Sequence, residues 1–174
     1  MPTELALDNI DRKILDVLQR DARATNAAIA ADVGMTAPSV FERVRKLEQR
    51  GVIKAYTVTV DPAAIGKTLT AFIRLTVAYD EKHASGMQAI SLDPDVLECY
   101  SVAGEDCFVI KTRVNNPGEL EELINRIRRQ VTVLRSVTMI VLSALKENAP
   151  LNVYDATLTM KTKSAARSKG KKAK

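Results

Sequence analysis

The sequence has no tryptophan, one histidine (His83), two cysteines (Cys99 and Cys107) and only 4% aromatic residues. Each shortage excludes something. A core without large rings must be mostly aliphatic. One histidine makes a zinc centre or a histidine-based triad hard to build. His83 itself lies in the polar stretch Lys82-His83-Ala84-Ser85, where a surface side chain is expected. Two cysteines are too few for a disulfide framework and lack metal-ligand spacing, so they are expected as buried free thiols of a reducing cytoplasm. No apolar run approaches the roughly 20 residues that a spanning helix needs. The opening Met1-Pro2-Thr3-Glu4-Leu5 lacks the basic and apolar regions of a signal peptide. Composition thus points away from catalysis, metal, cofactor and membrane. What is present, 46% apolar and 27% charged residues, is globular usage, and 174 residues make one ordinary domain or two small ones.

The formal charge of +5 is unevenly placed. Residues 161–174 hold seven of the 26 basic residues and no acid, which leaves 19 bases against 21 acids elsewhere. A near-neutral body therefore carries a polycationic end. That end has no large apolar residue after Met160 and reads as disordered. It either attracts phosphates without sequence preference, or is a solubilising end or an expression remnant.

Residues 1–51 read as three helices. Asp8 caps a helix with Ile10, Ile14, Val17 and Leu18 on one face. Thr25 caps a second, which Gly34 ends; Thr36 caps a third, with Pro38 in its first turn and Gly51 after its last residue. The β-branched run 52–60 reads as a linker strand, closed by a turn through residue 66. Residues 69–79 alternate as a strand. A helix at 82–91, weakened by Gly86, strands at about 95–102 and 106–114, a helix from Asn116 and a strand at about 133–144 follow. The order β-α-β-β-α-β is the ferredoxin-like pattern, with both helices on one sheet face. The other face keeps apolar residues such as Phe72 and asks for a partner subunit. The expectation is an α+β fold. A winged or plain helix-turn-helix domain (1–51) precedes a linker strand (52–66), a βαββαβ domain (67–152) and a basic tail (153–174).

Residues 26–44 have helix-turn-helix spacing. Ala30 permits close packing, Gly34 makes the turn, and Val40 and Val44 face inward. The third helix presents the opposite stripe Ser39, Arg43, Lys46 and Arg50, and residues 36–50 carry four bases and two acids. Such a helix can enter the major groove. Thr36, Ala37, Ser39 and Phe41, at its start, would lie nearest the base edges. Arg43, Arg45, Lys46 and Arg50 would reach bases or phosphates.

The stretches Leu7-Asp8-Asn9-Ile10-Asp11-Arg12-Lys13-Ile14-Leu15, Leu18-Gln19-Arg20-Asp21-Ala22-Arg23 and Val40-Phe41-Glu42-Arg43-Val44-Arg45-Lys46-Leu47-Glu48 resemble the Lrp/AsnC, or feast/famine, family of regulators. So do Gly51-Val52-Ile53 and Tyr56, and the resemblance covers about residues 5–152. It implies a transcription regulator that binds double-stranded DNA. It also implies a C-terminal RAM-type domain that forms dimers through its sheet, often assembled into octamers or other higher homo-oligomers, with an amino acid bound between dimers. Val102-Ala103-Gly104-Glu105-Asp106-Cys107-Phe108 resembles the family's Gly-x-Asp loop, which makes Gly104, Glu105 and Asp106 effector-site candidates, with Ser136 and Thr138 on the last strand as a second lining. The loop can equally be a plain hairpin turn, and the two hydroxyls ordinary sheet residues. Cys107-Phe108 departs from the family's aromatic-then-aliphatic pattern. Two other functions compete with a sequence-specific regulator: a nucleoid-type architectural protein that coats DNA, and a ligand-sensing domain or enzyme that does not act on DNA.

Overall fold

Local capping sets the first three helices of the computed structural model, which describes residues 7–154. In α1 (Asn9–Arg20) the Asp8 carboxylate accepts the Asp11 amide at 2.7 Å, and the Asp11 carboxylate accepts the Asp8 amide at 3.3 Å. This reciprocal box satisfies two amides that the first turn would otherwise leave unpaired. Thr25 caps α2 (Asn26–Val33), which stops at Gly34 in the left-handed region at φ 71°. Glycine takes that conformation without the steric cost of a Cβ. Thr36 caps α3 (Ala37–Gln49), and Pro38 occupies the first turn, where no amide donor is missed. Ile14, Ile29, Ala30, Val40 and Leu47 form the buried core of this bundle, rimmed by Ile10, Val17, Leu18 and Val44. Each large aliphatic side chain buried there contributes about 1.5–3 kcal/mol over its exposed state. No β-hairpin wing accompanies the helices among the described residues.

The expected linker strand at 52–60 does not form. Val52 and Ile53 pack on the helical core, but residues 54–61 are exposed and belong to no ladder, with Val58 83% exposed. β-Branched residues favour an extended chain, yet a strand also needs a ladder partner, and residues 54–61 pair with none among the described residues. Two compact units divide the chain. Among the described residues, one joins 7–58 with 146–154; the other is Thr59–Leu145. Residues 146–154 make their contacts with the first unit. The polycationic run 161–174 lies outside the described residues.

The second unit holds β1 (Leu69–Val77), α4 (His83–Ser91), β2 (Val96–Ser101), β3 (Phe108–Val114), α5 (Pro117–Gln130) and β4 (Val133–Ile140). The four strands are antiparallel in the order β2-β3-β1-β4. Period-two alternation puts Ala71, Ile73, Leu75 and Val77 of β1 beside Phe108, Ile110 and Val114 of β3, all buried under Ile90 of α4 and Leu120, Leu123 and Ile127 of α5. The expected βαββαβ unit is therefore present, with both helices on one face. The opposite face carries Phe72, Arg74, Val109, Lys111 and Tyr100, and Tyr100 is 53% exposed. At the start of the sheet Arg126 donates to Asp93 at 2.7 Å and to Asp95 at 2.7 Å, while Lys67 donates to Asp95 at 2.9 Å.

Two smaller expectations change. His83 is not a surface turn residue. It opens α4, half-buried, with its ring centroid 4.2 Å from Tyr79 and 5.7 Å from Phe108, and its Nδ1 is buried without a hydrogen-bond partner. Cys99 and Cys107 are free but only half-buried, and burial pushes the Cys99 thiol up.

Candidate nucleic-acid interface and effector loop

The inward stripe of α3 turns the other side of the helix outward as a set. Ser39, Arg43, Lys46 and Arg50 line one open depression of about 550 Å³, together with Asp11, Met35, Pro38, Glu42 and Leu47. Ahead of it, the Thr36 hydroxyl accepts the Ser39 amide at 3.4 Å and lies 2.9 Å from the Ser39 hydroxyl. Phe41 is 52% exposed, while Ala37 is half-buried against the bundle core. Arg45 reaches Glu42 at 3.8 Å on an exposed surface, a pair worth little. Lys46 is exposed and has no acidic partner among the described residues.

Arg43 behaves differently from its neighbours on the stripe. It points away from Val40, onto α1, where its guanidinium donates to Asp8 and to Asp11, each at 2.7 Å. Hydrogen bonds donated to the two carboxylates raise the Arg43 pKa. Burial alone would raise that of Asp8, but the Asp11 amide and Arg43 outweigh it and bring it below the ordinary value. The capping acids of α1 thus double as the anchor for α3. Sequence reasoning missed this link because the partners lie 32 and 35 residues apart. Its only trace is a pair of acids in one first turn.

The β2–β3 connection is drawn onto the sheet by its ends. Val102 donates to the Cys107 carbonyl at 3.0 Å and Cys107 donates to the Leu75 carbonyl at 2.8 Å. Gly104 takes φ 140° at an exposed position with open space around it. Asp106 is 7% exposed; Arg74 grips its Oδ2 through Nε and Nη2, and its Oδ1 is buried without a hydrogen-bond partner. Glu105 is exposed, 3.8 Å from Arg135, and its carbonyl accepts the Thr76 hydroxyl at 3.3 Å.

Ser136 and Thr138 do not join Asp106 in one pocket. Ser136 lies opposite Leu75 and Thr138 opposite Ile73, so both face the helices. Asp106 is held instead by Arg74, a residue of the other face. Ser136 lines a separate cavity of about 530 Å³ with Lys82, Arg128, Arg129 and Arg135 among its walls. Among the described residues no group of three His, Cys, Asp or Glu side chains could hold a metal ion, and no helix is long and apolar enough to cross a membrane.

Comparison with known proteins also divides the chain in two, with the second match running to residue 151, close to the end expected for the second domain. Residues 7–48 match the AsnC-type helix-turn-helix domain and residues 70–151 the Lrp/AsnC ligand binding domain. The chain is 37% identical over 135 residues to the HTH-type transcriptional regulator LrpA of Mycobacterium tuberculosis, covering 78% of this chain and 90% of that one. It is 35% identical to the HTH-type transcriptional regulator FL11 of Pyrococcus horikoshii, covering 84% and 97%. Among solved structures, a feast or famine regulatory protein from M. tuberculosis complexed with L-methionine superposes with a TM-score of 0.74 at 36% identity, over 82% of this chain and 96% of that one.

Proposed function

The chain belongs to the Lrp/AsnC family of helix-turn-helix transcription regulators, and from that premise we propose how its own residues do the work. The start of α3, with Thr36, Ala37, Ser39 and Phe41, meets base edges in the major groove. Arg45, Lys46 and Arg50 meet phosphates or bases, and Arg43 holds the helix at its angle on α1. The carrying observation is the depression shared by Ser39, Lys46 and Arg50, with Lys46 exposed and in no ion pair among the described residues. Phosphate contacts set position and base contacts set sequence preference.

The sheet face that carries Phe72 and Tyr100 pairs with a second copy, and dimers assemble further. An amino-acid effector, the ligand class seen on the M. tuberculosis neighbour, acts through the loop around Gly104, Glu105 and Asp106. Ser136 and Thr138 contribute only if the effector reaches the helix side of β4. The protein works in the cytoplasm on the nucleoid, by binding and not by catalysis. Lys46→Ala tests the DNA reading. Loss of a phosphate contact should weaken operator and random DNA alike and lower the salt slope by about one unit. Equal binding by variant and parent, or a parent that binds operator no better than random DNA, would overturn it.

A further inference from the structure

Past Lys146 the chain runs back to the first unit, and two side chains of α1 hold it by its backbone alone. The Gln19 carboxamide accepts the Leu151 amide at 2.7 Å and donates to the Leu151 carbonyl at 3.1 Å. That is the paired exchange of an antiparallel ladder, made by a side chain. Arg12, two turns earlier on the same helix, donates to the Val153 carbonyl. Of the segment's side chains only Val153 is half-buried; Leu151 is 79% exposed and Tyr154 43% exposed. Residue 151 lies at Gln19 and residue 153 at Arg12, so the segment runs antiparallel to α1. It heads for the helix start, where Asp8 and Asp11 are tied to Arg43 of α3. The chain therefore leaves α1 at the end joined to the candidate reading helix. Lys161, the first of the seven cations, comes seven residues after Tyr154, within about 25 Å of fully extended chain.

We infer that the outer face of α1 is a docking site for the chain's own segment 151–154, and that this dock launches the basic run 161–174 onto DNA phosphates beside α3. This rests on the reading of α3 as the DNA-contacting helix. Opening the dock adds the nine residues 146–154 to the chain between the last held residue and the run, and effective concentration falls with such length. Gln19 suits a test because it is uncharged and exposed. Its loss removes no ion contact and leaves no buried group.

Four proteins are compared by operator titration over a range of salt: parent, Gln19→Ala, a chain lacking residues 161–174, and the combination. Gln19→Ala should weaken binding roughly two- to five-fold and make the salt slope shallower in the full chain. It should do neither in the shortened one, and it should speed amide exchange at Leu151. An equal loss in both backgrounds, no loss in the full chain, unchanged exchange at Leu151, or a shortened chain that binds like the parent would each overturn the inference. Lys46→Ala in the shortened chain reads α3 separately, so failure of the dock and failure of the DNA reading give different results.

Discussion

Gly86 sits inside α4 where that helix meets the end of α5, and replacing it by alanine should show how closely they are fitted. A Cβ at this position would lie 2.2 Å from the Gln130 carbonyl oxygen and 2.6 Å from Val131 Cγ1. The oxygen has little freedom, since Val131 donates to Ile127 at 3.2 Å and the Thr132 carbonyl accepts Ala78 at 2.9 Å. Reaching ordinary contact requires the two helices to part by about 1 Å, which loosens Ile90 and Met87 against Ile127 and Val131. Such overpacking costs about 3 kcal/mol. Alanine's better helix propensity returns about 1 kcal/mol. The net loss is about 2 kcal/mol, a fall of roughly 10 °C in the melting temperature of a unit this size. Calorimetry on Gly86→Ala, with amide exchange to locate the loss in α4 and α5, checks it. A variant as stable as the parent, or about 1 kcal/mol more stable as propensity alone would have it, refutes the close contact.

Arg43→Ala should lower stability by about 1–2 kcal/mol, because it leaves Asp11 in a largely buried site without its cation; an unchanged urea unfolding curve would remove the anchor role. Asp93 is held below the usual carboxylate range by Arg126, and Asp95 by Lys67 and then Arg126. A depressed folded-state pKa supplies stability that is complete above the unfolded value near 4 and vanishes as pH falls through the folded one. Arg126→Met should therefore cost about 1–3 kcal/mol at neutral pH and progressively less below about pH 4, and the same deficit at pH 7 and pH 3 in unfolding titrations would contradict it. Asp106→Asn should abolish or weaken the response of operator binding to amino acids while binding without them stays intact, since an effector acts only through unequal affinity for two states. A full parental response in that variant moves the effector site elsewhere.

Wherever structure follows from near neighbours, it was legible. Thr36, Pro38 and Gly34 fix α3 and its turn through contacts within a few residues, and the alternation of β1 names its buried face directly. What depends on distant partners was not. The run 52–60 has strand composition, but composition supplies no edge to pair with. Gly86 looks like a flaw in a helix until the Gln130 carbonyl stands over it. Ser136, Thr138 and Asp106 look like one site on paper, yet the register of β4 against β1 sends the two hydroxyls to the helix face. Helical spacing puts Ser39, Arg43, Lys46 and Arg50 along one depression, whereas the pairing of Arg43 within it needs α1 in place.

The first unit takes its pieces from both sides of the second, and this gives its assembly an order in time. Its three helices leave the ribosome early, and the segment that Gln19 and Arg12 hold comes roughly a hundred residues later, about 5–20 s at common rates of synthesis. Through that interval a nascent chain shows α1 with its outer face bare and has not yet made the cations beyond it. A chain still being translated thus has its three helices before the seven cations of residues 161–174. The same interval leaves Gln19 and Arg12 open to the return segment of another chain, so crowded synthesis favours exchange of that segment between copies.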